Sequence, residues 1–215
     1  MSDKPIWALS ATELVKKTKN NDLSATEITF AYLEHINTIN PELNAIVDDM
    51  SKEAIKRAEN LDSAAKSGDS KGRLFGVPVT VKINVDQKGY ATSNGVSALK
   101  NSIASQNAPI VDHLLNAGAI FVGRTNTPEF SFRAETENPL YGRTHNPWGK
   151  HLSPGGSSGG ASSAVMSGMC ALAHGNDIGG SLRFPSVATG AVTLKPGLGR
   201  VPAWNSSQTN ERGIL

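Results

Sequence analysis

The chain has little of what marks several common protein classes. Cys170 is the only cysteine among its 215 residues, so no intrachain disulfide can form and a reducing compartment is expected. Its 21 basic and 19 acidic residues leave a formal net charge of +2, and no run of like charge forms an interaction tail. So small a positive excess gives no reason to expect binding to nucleic acid or to a membrane surface.

Long apolar runs and metal-binding motifs are absent as well. The longest weakly polar stretch, residues 164–173, is too short to span a bilayer, and the start "MSDKPIWALS" has no apolar core of signal-peptide length. The chain contains neither an H-E-x-x-H motif nor a cluster of cysteine and histidine. These absences predict a cytoplasmic protein that binds no metal and needs no cofactor.

Glycine and serine, in contrast, are concentrated late in the chain. The 21 glycines exceed the usual share of about 7%, and two segments pair glycine with serine: "SPGGSSGGAS" at 153–162 and "GNDIGGSLRFP" at 175–185. In the second segment Gly179 and Gly180 precede Ser181. Glycine conformations would let neighbouring N–H groups point into one anion-binding concavity beside the serine hydroxyl. A Gly-Gly turn with a solvent-exposed serine is the alternative, and this segment alone does not decide between them.

The first part of the chain is predicted to be helical. The pairs Ser10–Glu13 and Ser24–Glu27 have the capping-box spacing that begins a helix. Pro41 is expected to end the second of these helices, because proline disfavours helical backbone in the residue before it. A third helix is predicted over residues 51–66, with Gly68 as its stop.

The later part of the chain is predicted to combine strands with a helix. Residues 76–86, "GVPVTVKINVD", place valine and isoleucine on one face and polar side chains on the other, as a strand does. A helix is predicted after Pro109, and a short buried strand at 119–123. The sequence therefore predicts an α/β fold with a mixed β-sheet core flanked by helices. We expect a helical segment at 1–70 and an α/β core at 71–215 that is part of one larger domain.

Lys82 is the residue of the first strand that could carry chemistry. It shares the polar face with Thr80 and Asn84, and this local pattern favours a solvent-exposed lysine. If the side chain is instead buried near hydroxyls, loss of solvation lowers its pKa, and the neutral amine can act as a base. A nearby Asp86 would oppose that shift. Among the histidines, His174 is the one that could compete as the base, since it lies close before the glycine pair.

The serine pair at 157–158 has a rival interpretation. "GGSSG" at 155–159 formally matches the G-x-S-x-G nucleophile elbow of α/β-hydrolases, but that elbow must follow a strand. The preceding "GKHLSP" contains glycine and proline, which are poor strand residues. No G-x-x-x-x-G-K-[ST] phosphate loop is present either. We therefore expect neither an elbow nor a nucleotide site here.

These segments together resemble the amidase signature family. "SPGGSSGGASSAV" and "GNDIGGSLRFPS" resemble the two halves of its serine- and glycine-rich signature, and "GVPVTVKINV" resembles the strand that carries its lysine. "GRTNTPEF", "THNPWG" and "GLGRVP" after "LKP" also fit the family pattern. The resemblance covers nearly the whole chain and is densest from Gly72 to Pro202.

The resemblance implies a Ser-Ser-Lys triad. Ser181 would be the nucleophile, Ser157 the bridging serine that follows a cis peptide bond, and Lys82 the terminal base. The oxyanion hole would consist of the backbone N–H groups of Ile178, Gly179, Gly180 and Ser181.

The family pattern also bears on Asn176, on Arg183 and on the length of the chain. Asn176 stands where the family often has threonine, a departure expected to be harmless. Arg183 is open to two roles, a structural ion pair or a contact to an acidic substrate group. Family members are much longer, so the chain is expected to be incomplete at its C-terminal side. The remainder of the domain, beyond Leu215, would be its partner, and residues 1–215 alone would have low stability and little activity.

The implied function is hydrolysis of a C–N bond in a small-molecule amide through an acyl-enzyme, with no nucleic-acid or membrane partner. A homodimer is left open. One alternative is the amidase subunit of a tRNA-dependent amidotransferase, which would need partner subunits. Another is a non-catalytic module that binds small anions through the glycine-rich loops.

Overall fold

The fold is a mixed β-sheet flanked by helices, as the sequence predicts. A computed structural model describes residues 4–68 and 71–207. Its helices are α1 (Ala11–Lys19), α2 (Ala25–Leu43), α3 (Ser51–Lys66), α4 (Pro109–Asn116), α5 (Gly159–Met166) and α6 (Arg183–Thr189). Its strands are β1 (Ile46–Asp49), β2 (Pro78–Lys82), β3 (Ile120–Thr125), β4 (Glu137–Asn138), β5 (Gly142–Arg143) and β6 (Leu172–Ala173).

The central sheet has the strand order β1-β3-β2-β6. β2 is parallel to both β3 and β6, whereas β1 is antiparallel to β3. Parallel neighbours require a crossover connection, and the chain between β2 and β3 supplies one that contains α4. β1 is absent from the sequence prediction, because "IVDD" offers only two apolar residues between two long helices.

The predicted capping boxes are present at the first two helices. Both hydrogen bonds of each box form, one from Glu13 or Glu27 N–H to the serine hydroxyl and one from the serine N–H to the glutamate. The prediction that Pro41 ends α2 is wrong. The helix continues to Leu43, which is buried, and Asn44 closes it with a φ of 49°. A proline in the last turn loses only one N–H donor, so the burial of Leu43 can extend the helix past it.

Three other elements agree with the predictions. α3 spans Ser51–Lys66, and Gly68 beyond it has a φ of 92°. α4 begins at Pro109, where a missing N–H costs nothing. β3 overlaps the predicted strand at 119–123 and is buried along its whole length.

Both faces of the sheet are buried, and this places Lys82 in the interior. On one face Val79 and Val81 of β2 pack with Phe121 of β3 beneath α4. The other face is covered by α2, α3 and α5. Thr80 and Lys82 extend from β2 on this second side, and neither has exposed surface. The polar face of the strand is therefore an internal one.

The alternating pattern of residues 76–86 predicts a longer strand than the structure contains. β2 ends at Lys82, and the Val85 N–H donates to the Lys82 carbonyl at 3.1 Å in a turn. Asn84 and Asp86, expected on a solvated face, are only 3% and 0% exposed. Loops from later in the chain supply their hydrogen-bond partners, and sequence periodicity carries no information about such long-range contacts.

The cysteine lies in the core on the second side of the sheet. Cys170 is 2% exposed, and its Sγ lies 3.5 Å from the Thr80 hydroxyl. Burial raises the pKa of its thiol to about 12. Cys170 therefore packs as a small apolar residue.

Arg124 connects β3 to β1 and to the loop that follows β2. Its guanidinium donates to the Ala91 carbonyl at 2.7 Å, the Val85 carbonyl at 2.9 Å and the Asp48 carboxylate at 2.9 Å. The Arg124 side chain has no exposed surface, and that of Asp48 is 22% exposed. A buried guanidinium is tolerated only when it is paired and hydrogen bonded. Here both terminal nitrogens have partners, and the Nε has none among the described residues.

We expect Arg124→Met to lower the free energy of unfolding by about 3–5 kcal/mol, because the substitution leaves the Asp48 carboxylate without its charged partner. Arg143→Met is the matched control. Its ion pair with Glu135 is partly exposed on both sides, so its loss should cost about 0–1 kcal/mol. Chemical denaturation followed by circular dichroism measures both. Equal losses in the two variants would contradict the role given to Arg124.

Candidate active site

The serine pair lies on a loop that leads into α5. No strand occurs in residues 144–158, so the serines do not sit on an α/β-hydrolase elbow. The Gly156–Ser157 peptide bond is cis, as the family resemblance implies for the bridging serine. Ser157 has no exposed surface, and the Thr127 hydroxyl donates to its carbonyl at 3.0 Å.

The glycines around Ser157 let this loop approach the chain that follows β3. A Cβ on Gly156 would lie 2.5 Å from the Arg133 carbonyl oxygen. A Cβ on Gly160 would lie 2.6 Å from the Asn126 backbone nitrogen. Any side chain at these positions would push the serine loop away from its support.

The structure brings Lys82 to the serine pair. Its Nζ lies 2.7 Å from Ser157 Oγ, 3.2 Å from Ser158 Oγ and 2.8 Å from Asn176 Oδ1. The local prediction of a solvent-exposed lysine is wrong, because the polar face of β2 is covered by the loops that carry these partners. Burial holds the pKa of the Lys82 amine well below its ordinary value of 10.5.

The carboxylate that opposes this shift is Asp177, not Asp86. The negative charge of Asp177 raises the pKa of Lys82, although less than burial lowers it. The Asp86 carboxylate instead accepts hydrogen bonds from the hydroxyls of Thr92, Ser206 and Ser207. It therefore anchors the far end of the described chain beside β2.

Asp177 also organises the turn that leads into α6. Its carboxylate accepts from the N–H groups of Gly180, Leu182 and Arg183 at 2.8, 3.1 and 3.2 Å. The Arg183 guanidinium donates to both carboxylate oxygens, at 3.0 and 2.9 Å. These bonds, led by that from the guanidinium, hold the pKa of the Asp177 carboxyl below its usual range. Of the two roles open to Arg183, the ion pair is the one that the structure contains.

The N–H groups around Ser181 differ in what they bind. Gly180, with a φ of 122°, gives its N–H to Asp177. This differs from the arrangement that the resemblance implies, in which Gly180 is one of the oxyanion donors. Within residues 4–68 and 71–207 no partner is found for the N–H groups of Ile178, Gly179 and Ser181. Three backbone donors at or just before Ser181 in sequence thus have no partner in these ranges.

Ser181 lies next to the serine pair without a hydrogen bond between hydroxyls. The Ser158 N–H donates to the Ser181 carbonyl at 3.1 Å, which joins the two loops. No hydrogen bond between the Ser157 and Ser181 hydroxyls occurs in the part of the chain that the structure describes. Ser181 is partly exposed, whereas Ser157 is fully buried. The structure therefore joins Lys82 to Ser157 directly, and brings Ser181 near them only through the backbone.

His174, the competing base, makes no side-chain hydrogen bond to either serine. Its backbone N–H donates to the Thr80 carbonyl at 2.8 Å, and its Nδ1 is buried without a partner among the described residues. Burial and the nearby charge of Lys82 lower the pKa of the His174 imidazole to about 4. Such an imidazole is a weak base, and within the described residues it has no hydrogen bond to a hydroxyl.

A cavity of about 1140 Å³ opens beside this region. Its walls are mainly apolar side chains from α5 and from residues 191–205, and Ser158 and Asn176 also line it. Neither Ser181 nor Lys82 does. The cavity therefore lies beside the glycine-rich loop and is not centred on the serine hydroxyl.

Three residues that contact the serine–lysine cluster are not assigned a role by the sequence. Asn176 stands out there only as a departure from the family pattern, yet its amide oxygen contacts Lys82. In the sequence analysis Ser158 is named only as part of the serine pair, and Thr127 occurs only within the quoted segment "GRTNTPEF". The resemblance of that segment to the family is the one signal that points to Thr127.

The described residues contain neither a membrane-spanning helix nor a metal-binding group. None of the helices within residues 4–68 and 71–207 is both long enough and apolar enough to cross a membrane. Over the same ranges, no three histidine, cysteine, aspartate or glutamate side chains form a group that could hold a metal ion.

We expect the free energy of unfolding of the wild type, minus that of Lys82→Met, to increase as the pH rises. The unfolded chain binds more protons than the folded protein between the lowered pKa of Lys82 and 10.5, so folding becomes more favourable as the pH rises through this window. Melting temperatures from about pH 6 to about pH 10 measure the difference. Lys100→Met, at an exposed lysine, is the control. Parallel curves for the wild type and Lys82→Met would show that Lys82 is solvated.

Comparison with known proteins identifies the family. Residues 27–211 match the family described as Amidase. The chain is 50% identical over 211 residues to an indoleacetamide hydrolase of Bradyrhizobium diazoefficiens. The matched region covers 98% of this chain and 40% of that protein. It is 38% identical over 196 residues to a glutamyl-tRNA(Gln) amidotransferase subunit of Caldanaerobacter subterraneus, which covers 91% of the chain and 40% of that protein.

The fold is also found among solved structures. A bacterial aryl acylamidase of the amidase signature family superposes with a TM-score of 0.83 at 32% identity, over 86% of this chain and 39% of that one. The chain thus spans about 40% of the length of the curated relatives it matches. The family match over residues 27–211 and the shared fold agree with one another. The chain therefore belongs to the amidase signature family.

Proposed function

We propose that the protein hydrolyses the C–N bond of small linear amides through an acyl-enzyme on Ser181. The observation that carries this proposal is the Lys82 amine, fully buried and 2.7 Å from the Ser157 hydroxyl. A lysine whose pKa is lowered by burial can be neutral near pH 7, and a neutral amine can accept a proton. Family membership supports the same reaction type.

The proposed relay moves two protons in sequence. Neutral Lys82 takes the proton of the Ser157 hydroxyl, and Ser157 takes the proton of Ser181 as the Ser181 oxygen attacks the amide carbon. The carbonyl π electrons move to oxygen and form a tetrahedral oxyanion. The relay needs a Ser157–Ser181 hydrogen bond, and catalytic hydrogen bonds often tighten only when substrate binds.

The leaving amine then needs a proton, because an amide anion is too basic to depart. The proton returns from Lys82 through Ser157 to the amine nitrogen, the C–N bond breaks, and the acyl group stays on Ser181. Water next attacks the ester carbon and gives its proton to the same relay. The carboxylic acid leaves, and the Ser181 hydroxyl is restored.

We infer that the oxyanion is held by the three unused N–H groups, those of Ile178, Gly179 and Ser181. An added Cβ on Gly179 would meet no atom within 4 Å, and the backbone of this residue is not left-handed, so packing does not demand a glycine here. Open space above unpaired donors is what an incoming carbonyl requires. The Asp177 contact to Gly180 would fix the shape of the turn instead of binding substrate.

The relatives support a proposal for the substrate class. Since the indoleacetamide hydrolase is 50% identical over nearly the whole chain, we infer that primary amides of aryl-substituted acids are the first substrates to assay, with indole-3-acetamide among them. Because the chain spans about 40% of that relative, activity is best measured on protein expressed from its complete reading frame.

Ser181→Ala is expected to abolish labelling by a serine-reactive fluorophosphonate, a loss of at least about 10⁴-fold, because no nucleophile remains for the acyl-enzyme. Lys82→Ala should slow labelling sharply and change its pH profile. Intact-protein mass spectrometry measures the adduct. Ser186→Ala is the control, since its hydroxyl donates to the Arg183 carbonyl at 2.7 Å. Retained labelling of Ser181→Ala would move the nucleophile elsewhere, first to Ser157.

Gly179→Ala and Gly180→Ala should separate catalysis from folding. The methyl of Gly179→Ala enters open space, so stability should change by less than about 0.5 kcal/mol, while labelling falls at least about 10-fold as the donors are obstructed. Gly180→Ala forces a φ of 122° on alanine and should cost about 1–3 kcal/mol. Melting temperature and labelling rate are the two readouts. Full labelling by Gly179→Ala would argue against the proposed oxyanion site.

The amidase subunit of a tRNA-dependent amidotransferase is the second candidate. The 38% identity to such a protein over 91% of the chain favours it, although the identity to the indoleacetamide hydrolase is higher. Glutaminase activity together with co-purifying partner subunits would select this function. Hydrolysis of small amides by the isolated protein would select the first.

A further inference from the structure

The Lys82 amine has three polar partners, and their chemistry restricts where its hydrogens point. A protonated lysine donates three hydrogen bonds, whereas a neutral one donates two and carries a lone pair. Its partners are Ser157 Oγ at 2.7 Å, Asn176 Oδ1 at 2.8 Å and Ser158 Oγ at 3.2 Å. To act as a base, the neutral amine must direct its lone pair at one particular hydroxyl.

Asn176 can only accept from Lys82. An amide oxygen has no hydrogen, so one N–H of the lysine must point at Asn176 in either protonation state. A threonine hydroxyl at this position could donate as well as accept, and would leave that direction open. The amide is also uncharged, so it orients the amine without adding a charge that would favour the ammonium form.

Ser158 is committed as an acceptor by the backbone of the same residue. The Ser158 hydroxyl donates to the Asn176 carbonyl at 3.2 Å, and the Asn176 N–H lies 3.3 Å from the Ser158 oxygen. With its one hydrogen used, Ser158 can take only an N–H from Lys82. Both N–H groups of the neutral amine are then assigned, and Ser157 alone is left for the lone pair.

We propose that Asn176 is a positioning residue that sets the direction of the hydrogen bond between Lys82 and Ser157, so that the neutral amine accepts the Ser157 proton. Its side chain directs one N–H of the lysine, and its backbone directs the other through Ser158. This inference rests on the proposed amide hydrolysis, since it assigns a role within that relay.

Several charged or titratable side chains lie on the stretches that flank β2. Asp177 follows Asn176 and raises the pKa of the amine, and His174 lies on the same stretch after β6. Cys170 is a buried thiol that contacts Thr80. Arg124 of β3 directs its guanidinium to Asp48 and to carbonyls of the chain after β2. α5, which covers this side of the sheet, carries no ionisable side chain.

The test is the pH dependence of fluorophosphonate labelling of Ser181, in protein expressed from its complete reading frame. Asn176→Asp places a carboxylate against the amine and should move the acid limb up by about one pH unit or more. Asn176→Leu removes the acceptor, so the limb should move down and the plateau should fall at least about 10-fold. Asn176→Thr should restore part of the plateau. Asn101→Asp, at an exposed asparagine, controls for added charge.

A direct titration separates this inference from the proposed function. NMR of ¹³C-lysine-labelled protein follows the Lys82 signal, which is identified by its absence in Lys82→Met. Asn176→Asp should raise the titration midpoint and Asn176→Leu should lower it. If the wild type is not labelled, the amide hydrolase proposal fails, while the NMR result still tests the hydrogen bond. If Asn176→Asp and Asn176→Leu leave both the acid limb and the Lys82 midpoint in place, Asn176 only packs and the inference is overturned.

Discussion

The arrangement around the serines depends on keeping one amine out of water. Lys82 is fully buried, and its three polar contacts all come from loops distant in sequence, at 157–158 and at 176. Burying a lysine costs free energy unless its hydrogens find acceptors, so the strand and the two loops must assemble together. The same burial lowers the pKa of the amine, which is the property that the proposed chemistry requires. One physical cause thus links the packing of the sheet to the proposed chemistry.

The sequence predicts those features whose cause is local. Capping boxes, the start of α4 at Pro109 and the buried β3 all follow from spacing and residue type. The environment of Lys82 does not, because a polar face on an isolated strand looks the same whether water or another loop covers it. The family resemblance implies that Lys82 and Ser157 lie together, and the structure agrees on their contact. The proposed positioning role of Asn176 rests on the distance from its amide oxygen to the Lys82 amine, which the sequence does not provide.

Asp177 shows how one carboxylate can serve two regions at once. It accepts from the N–H groups of Leu182 and Arg183 at the start of α6, and it also accepts from the Gly180 N–H. The neighbouring donors of Gly179 and Ser181 have no such partner within the described residues. The two glycines therefore differ in their roles. Gly180 adopts the φ of 122° that the turn requires, and Gly179 leaves open space where a side chain would otherwise lie.

The setting of Cys170 bears on how the protein tolerates oxidants. Alkylating agents and peroxides react with thiolates, and a buried thiol with a pKa of about 12 offers almost none at neutral pH. In the folded state the sole sulfhydryl of the chain should be inert to both, and no mixed disulfide can form on it without opening the core. The fold is in this respect indifferent to the redox state of its surroundings.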